Sequence, residues 1–534
     1  MARQKESFLS GAMILAGAGL ISRVLGAVYR IPLSRVVGDE GIGLYQMAYP
    51  VYTMVLAIST VGIPLAISKL VAEKLAKRDG VGAYRVFQLS FILLLVTGLV
   101  FTVGMFLVAR PYAIYVTKDI RAELSIKALA PAIMIVTAMS AFRGFFQGLQ
   151  KMTPTAVSQV LEQVTRVITM FILAYLLLPR GVEFAAAGAT FGAFTGALVG
   201  LGVMGFIYWR SRPTVVELLR ARGRPQDSDR FIIARIASLS LPVSLAAIVM
   251  PLMTLMDSLV VPSRLQALGF EPATATALYG QLTGMAFPVM AMPTVVTAAL
   301  SASLVPAVSE ALALNDLNLI RHRAQASLRL TFLFTLPAVA GLYLLAREIS
   351  AMLFREPQAG IPLMALSAGL MFLALQQTTS GILQGLGRTD IPVKNLLVGV
   401  LAKVAVTWSL TGTAAWGIRG AAYGTVIGFL IAASLNYAAM YVLTGSSVDV
   451  IAAVGKPVIA TAVMAVFVRG GYDWAFRLSH SNTVATLAGI SAGVAVYGLV
   501  LLALGGVTRR DFEIVPKVGP MAADILCRLG LLKR

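Results

Sequence analysis

From Phe8 to Ala503 the chain presents one apolar run after another, each near the width of a bilayer, with no polar stretch between them long enough to fold as a soluble domain. A hydrocarbon core about 30 Å thick takes roughly 20 apolar residues per helix. Lipid offers backbone groups no water, so such runs must close their own hydrogen bonds as helices. Measured this way the sequence predicts about fourteen spans: 8–29, 44–70, 87–109, 126–146, 155–178, 185–209, 232–261, 281–308, 330–346, 361–386, 393–410, 421–442, 451–468 and 484–503. Composition agrees, with 58% hydrophobic and 13% charged residues against about 45–50% and 25% in soluble domains. The expected fold is an all-α integral membrane protein. Cys527 is the one thiol, and His322 and His480 are the two imidazoles. That excludes a disulfide framework and leaves no residues for a Cys/His zinc cluster. Residues 1–7, with Arg3 and Lys5, precede an apolar run longer than a signal-peptide core, so the first run reads as a retained helix.

The formal net charge is +20, and its distribution argues for a membrane rather than a nucleic-acid partner. With the amino terminus placed in the cytoplasm, Lys74, Lys77, Arg78 and Arg85 fall on one side together with the basic stretch from Arg210 to Arg235, Arg321, Arg323, Arg509 and Arg510. Opposite loops are poorer in charge, as with Arg180, Arg264 or Arg419 alone. This is the positive-inside pattern. It predicts the cytoplasmic membrane as location and both termini in the cytoplasm, with the basic linker facing anionic lipid.

An internal repeat organises the chain. Met47-Ala48-Tyr49-Pro50-Val51 matches Met285-Ala286-Phe287-Pro288-Val289 at an offset of 238 residues. Phe146-Gln147-Gly148-Leu149 matches Leu383-Gln384-Gly385-Leu386 at 237, and Gly188-Ala189-Thr190-Phe191-Gly192 matches Gly420-Ala421-Ala422-Tyr423-Gly424 at 232. One period holds six predicted helices, an even number, so the halves share one topology, the parallel-repeat arrangement of some transporters. The sequence thus divides into a first lobe (1–209), a basic linker (210–231), a second lobe (232–444), two further helices (445–508) and a tail (509–534) in which Met521, Ile525 and Leu529 recur every four residues, as in a surface helix. Helix-bending prolines such as Pro50, Pro251, Pro288 and Pro293 lie inside the predicted spans.

An ionisable group at the centre of a membrane helix costs about 2.5–3.5 kcal/mol on insertion scales, so it marks a cavity or a partner. Arg23, Glu162, Arg166, Asp257 and Lys403 are so placed. Glu162 and Arg166 have the favourable i,i+4 order of a pair on one helix. The 237-residue offset carries Arg166 onto Lys403 and Glu162 onto Gly399, which gives each half a cation at an equivalent point. Two cations suit a phosphate or pyrophosphate, gripped by Arg and neutralised by Lys. Arg30, seven residues after Arg23, lies on the same helical face and either lines the site or snorkels to the interface. Asp257 is either Lys403's structural partner or a Na⁺ or H⁺ coupling site, with Asn395 and Thr425 as neighbouring oxygen ligands. No G-x-x-x-x-G-K-[ST] loop occurs, so transport would draw on an ion or substrate gradient rather than on the chain's own ATPase. Two other readings stand beside an anionic-lipid transporter: an ion-coupled drug or cation extruder, which would want an acidic, aromatic cavity, and a membrane glycosyltransferase, which would want large external loops.

The run Arg143-Gly144-Phe145-Phe146-Gln147-Gly148, Met152-Thr153-Pro154, Ser158-Gln159, Glu162-Gln163 and Arg166-Val167 resembles flippases of the stage V sporulation protein B type. Gly41-Ile42-Gly43-Leu44-Tyr45-Gln46 and Ser303-Leu304-Val305-Pro306 add to the resemblance, which covers nearly the whole chain. It implies the multidrug/oligosaccharidyl-lipid/polysaccharide exporter fold, two parallel six-helix lobes around a V-shaped central cavity plus two carboxy-terminal helices. It also implies a flippase and not an enzyme, with a polyprenyl-linked anionic saccharide as cargo, a place in cortex or cell-wall synthesis, and cell-wall synthesis enzymes as candidate partners. Ser22-Arg23-Val24-Leu25-Gly26 is shared with the related lipid II flippases, which supports Arg23 as a cavity residue. Those relatives carry arginines on the second and eighth helices where this chain has Thr53 and Thr283. Their sodium site among the seventh, eleventh and twelfth helices would fall here to Asp257, Asn395 and Thr425.

Overall fold

A computed structural model describes residues 14–15, 17–19, 21–22, 25–26, 28–60, 62–211, 213, 227–446 and 451–506. Arg23, half of the first predicted helix, most of the basic linker and the amphipathic tail lie outside the described residues. The described chain is helical throughout, without a strand. Its helices are α1 (Arg30–Thr60), α2 (Gly62–Ala76), α3 (Gly80–Pro111), α4 (Ala122–Gly148), α5 (Thr153–Leu177), α6 (Val182–Arg210), α7 (Asp229–Ala247), α8 (Val249–Ala267) and α9 (Pro272–Gly280). They continue as α10 (Phe287–Ala291), α11 (Thr294–Ala313), α12 (Leu317–Leu344), α13 (Ala346–Phe354), α14 (Gly360–Gly385), α15 (Asp390–Thr411), α16 (Ile418–Thr444), α17 (Lys456–Ser479) and α18 (Asn482–Ala503). Among the described residues 13 segments are long and apolar enough to cross a membrane. Each overlaps one of the predicted spans from the second to the last, and the protein is a multi-pass membrane protein.

Two predicted spans are broken where one helix was expected. The seventh stops at Ala247 and restarts as α8 at Val249. Pro251 has no N–H to return to the carbonyl four residues back, and it stands in the first turn of the new helix, where that N–H is not needed. The eighth is divided further: α9 ends at Gly280, a wider π-type turn runs Gln281–Ala286, and α10 ends before α11 begins at Thr294. Pro288 and Pro293 stand at the starts of the last two pieces. Hydropathy sees none of this, because a broken apolar run is as apolar as a continuous one.

The chain divides into two compact units, Met1–Gly280 and Gln281–Arg534. In the first, Ile67, Val71, Val86, Phe87, Phe145 and Ile236 form a buried core. Phe87 centres its aromatic part, 4.6 Å from Phe145 and 5.3 Å from Phe142, centroid to centroid. In the second, Leu304, Leu328, Ile382, Leu383 and Met440 pack together.

The repeat read from sequence recurs in how each unit packs. Lipid tails are as apolar as leucine, so membrane helices associate mainly where small residues let backbones approach closely. A Cβ added at Gly196 of α6 would stand 2.6 Å from the Glu162 carbonyl oxygen and 2.9 Å from Arg166 Cβ on α5. A Cβ added at Gly428 of α16 would stand 2.9 Å from both the Gly399 oxygen and Lys403 Cβ on α15. Helices α4 and α14 close alike: Gln150 and Gly387, 237 residues apart, both have positive φ, and each donates its N–H at 2.9 Å to the carbonyl three residues back, Gln147 or Gln384. The same packing rule therefore places Arg166 in one unit and Lys403 in the other.

Candidate functional site

The site in the first unit is built on α1. Tyr45, Tyr49 and Tyr52 are spaced four and three residues apart, which puts them on one helical face. Tyr45 and Tyr49 stack with centroids 5.4 Å apart, and Tyr49 and Tyr52 are 5.8 Å apart. The Tyr45 hydroxyl pairs with that of Tyr29 at 3.0 Å. Arg30 lies at one end of this ladder, with Tyr29, Tyr45 and Tyr49 as its electrostatic neighbours. Arg166 of α5 lies at the other, beside Tyr49, Tyr52 and Glu162.

Glu162 is shared. Its Oε1 accepts from Arg166 Nη2 at 2.7 Å, and its Oε2 accepts from Arg143 Nη2 of α4 at 2.9 Å. Arg143 also donates to Ser158 Oγ at 3.2 Å through Nε and Nη2. The three charged side chains are 12–18% exposed, so they interact in a medium that screens far less than water. One carboxylate against two guanidinium groups leaves the triad with a net charge of +1, and Arg30 adds a second. The Nε atoms of Arg166 and Arg30 and the Tyr52 hydroxyl are buried and have no hydrogen-bond partner among the described residues. A buried polar group left so costs about 1–3 kcal/mol, which a ligand with acceptor oxygens would recover.

Three predicted site residues, Arg30, Glu162 and Arg166, are thus joined in one cluster. Lys403 belongs to the other unit, where it is 2% exposed on α15. The equivalents of Arg143, Ser158 and Glu162 there are Ser380, Asn395 and Gly399, and the polar bonds are neutral: Asn395 donates to Asn436 at 2.9 Å and Asn436 donates to Ser380 at 3.0 Å. Thr425 is buried and donates to Ala421 O at 3.2 Å within its own helix, so Asn395 and Thr425 are bonded elsewhere rather than to each other. Asp257 is buried on α8 in the first unit, next to Ser258, whose hydroxyl meets that of Tyr112 at 2.8 Å. Among the described residues no group of three or more His, Cys, Asp and Glu could hold a metal ion.

Arg143 and the tyrosines were not anticipated as site residues. The spacing of Tyr45, Tyr49 and Tyr52 was a usable signal. Arg143 stood in the same motif as Ser158, Glu162 and Arg166, but nothing in the spacing says that α4 passes α5 at Ser158. On α1, where lipid II flippases were expected to carry an arginine, Thr53 bonds back to the Pro50 carbonyl at 3.1 Å. The cation beside this stretch is Arg166, supplied by α5.

A second charged cluster lies in the loop between α3 and α4. Arg121 grips Asp119 through Nε at 3.0 Å and Nη2 at 2.7 Å and reaches Glu40 at 2.5 Å, while Thr276 donates to Asp119 at 2.8 Å. Burial disfavours the Asp119 carboxylate, but Arg121 and the Thr276 hydroxyl outweigh it and hold the group below the ordinary carboxylate range. A depressed pKa gives stability that is complete above the unfolded value, about 3.9, and is lost as pH falls through the folded one. Thermal unfolding of purified protein should therefore show the full contribution of this pair, unchanged with pH, between pH 8 and 5. Asp119→Ala, which strands Arg121 against Glu40 alone, should lower stability by about 3–5 kcal/mol over that range.

Residues 8–312, more than half of the chain, match the family described as polysaccharide biosynthesis protein. The chain belongs to that family. A second family description, MatE, matches residues 242–409. Among curated relatives of this polysaccharide biosynthesis family member, stage V sporulation protein B of Bacillus subtilis (strain 168) is 29% identical over 517 residues, covering 96% of this chain and 99% of the relative. The lipid II flippase MurJ of the same organism is 28% identical over 465 residues, covering 81% and 82%. A solved structure of lipid II flippase MurJ in an inward closed conformation superposes with a TM-score of 0.68 at 15% identity, covering 92% of this chain and 98% of that one. At that identity the likeness shows the fold, the one the resemblance implied. The lipid II flippases among these relatives are transporters by name, and the family member described here is a transporter rather than an enzyme.

Proposed function

We propose that the protein is a flippase that carries a polyprenyl-pyrophosphate-linked saccharide across the cytoplasmic membrane by alternating access, in cell-wall or spore-cortex synthesis. The observation that carries this reading is the pair Arg143 and Arg166 around one carboxylate, with Arg30 at the far end of the tyrosine ladder and donors on Arg166, Arg30 and Tyr52 that no described residue pairs. Pyrophosphate is the costly part of the cargo, because moving an ion into low dielectric costs far more than moving a neutral sugar. Guanidinium groups held at membrane depth offset that cost, and the polyprenyl tail can stay in lipid throughout. Stage V sporulation protein B and the lipid II flippases, as relatives over most of the chain, support the same cargo class. In this reading Arg166 and Arg30 hold the phosphates, Arg23, seven residues before Arg30 in sequence, joins them, and Lys403 is the corresponding cation of the second half. Asp257 is the acid we assign to Na⁺ or H⁺ coupling, and both termini face the cytoplasm.

The MatE match over residues 242–409 favours a second reading, ion-coupled extrusion of organic cations. Proteoliposomes separate the two. The flippase reading expects a fluorescent polyprenyl-pyrophosphate saccharide to become accessible on the far leaflet, with no uptake of a cationic dye; dye transport without lipid movement overturns it. Lys403→Ala should lower lipid flipping while leaving the protein monodisperse, and unchanged activity would remove Lys403 from the site.

A further inference from the structure

The shared carboxylate needs an explanation beyond charge balance. At the equivalent place in the second unit the backbone packs just as closely, Gly399 against Gly428, with Gly399 standing for Glu162 on α15 and Ser380 standing for Arg143 on α14. The fold therefore requires neither Glu162 nor Arg143, and the two are present together in one half and absent together from the other. Their geometry is that of a carboxylate with two hosts. Oε1 is on Arg166 at 2.7 Å and Oε2 on Arg143 at 2.9 Å, and Ser158 steadies the second host at 3.2 Å.

We propose that Glu162 is a resident counter-anion that an incoming phosphate displaces from Arg166 and that Arg143 then retains. The inference rests on the reading that Arg166 receives the cargo's phosphate. In the empty site Arg166 would be a bare cation among buried tyrosines without Glu162, a costly arrangement in low dielectric. In the loaded site a carboxylate still on Arg166 would stand beside a phosphate, and like charges at that range repel strongly. Breaking the single Oε1 bond while keeping the Oε2 bond resolves both states with a small side-chain movement. Arg166 has an anionic partner before and after, so the phosphate is neither trapped on an unopposed arginine nor excluded by a fixed acid. Arg143 is a positioning residue here: it acts on the ligand through Glu162.

The test is a double-mutant cycle on the full-length protein in nanodiscs, with inorganic pyrophosphate as the probe in equilibrium titrations and lipid flipping as the second readout. Glu162→Gln removes the competitor, so pyrophosphate should bind about tenfold tighter or more while flipping slows because release is no longer assisted. Arg143→Gln leaves the displaced acid without a host, and binding should weaken by a similar factor. In the double variant Glu162→Gln/Arg143→Gln the second change should cost almost nothing, since no carboxylate remains to be hosted. If Glu162→Gln binds pyrophosphate no tighter than wild type, or if the two changes weaken binding additively, the counter-anion role is wrong and the triad is structural. If Arg166→Gln leaves pyrophosphate binding intact, the phosphate site itself is misassigned. Arg166→Gln abolishing binding while Glu162→Gln leaves it unaltered overturns the displacement alone.

Discussion

Replacing Arg166 by Gln should abolish lipid flipping in proteoliposomes without preventing the protein from folding. The two halves of that expectation have separate causes. Truncating one partner of a buried charged pair usually strands the other, but Glu162 keeps Arg143 at 2.9 Å, so the remaining pair is neutral and satisfied. The ligand loses its fork-shaped donor and the local charge falls from +1 to zero. Losing a buried, hydrogen-bonded charge contact costs about 2–5 kcal/mol, a loss of roughly 30-fold or more in affinity. Arg166→Lys is the informative companion. It keeps the charge but not the planar fork, so it should bind more weakly than wild type and flip measurably. Equal activity of Gln and wild type would move the cargo site away from α5.

The i,i+4 pair shows which part of this site could be read from the sequence. Glu162 and Arg166 lie on one helix, and one helical turn of spacing was enough to join them. The repeat then carried Arg166 onto Lys403 and predicted equivalent positions, which the matching glycine packing at Gly196 and Gly428 reproduces. What the sequence did not disclose is lateral. Arg143 meets Glu162 across two helices, and the register between α4 and α5 is set by side-chain packing that has no periodic signature. The same limit explains the helix count. The hydropathy ruler found the spans, because membrane thickness is a property of the solvent. It missed the breaks at Ile248 and at Gln281–Ala286, because these depend on where a missing proline N–H falls within a turn. The bond from Asn395 to Asn436 is lateral in the same way, since Asn436 is a neighbour on α16 that spacing along α15 could not reveal.

Gly196→Val and Gly428→Val should each prevent accumulation of folded protein, measured as monodisperse material after detergent extraction. At both positions the atom that a new Cβ would meet is a backbone carbonyl oxygen, Glu162 at 2.6 Å and Gly399 at 2.9 Å. A side chain can rotate away from an intruding methyl group; a carbonyl within a helix cannot move without the helix. Overpacking costs typically 1–3 kcal/mol where neighbours can shift. Here relief means separating α5 from α6, or α15 from α16, and losing the close approach that holds lipid-immersed helices together. Gly202 and Gly205 supply the control on α6 itself. A Cβ at either meets nothing within 4 Å, so Gly202→Ala and Gly205→Ala should be neutral or stabilising, by up to about 1 kcal/mol from helix propensity. One helix thus carries the same residue with opposite expected responses, decided by the distance to the neighbouring backbone. A cargo-binding explanation for Gly196 would predict normal folding with lost transport; the packing explanation predicts the loss of both, and of Gly428 in the same way, where Gly399 stands for Glu162.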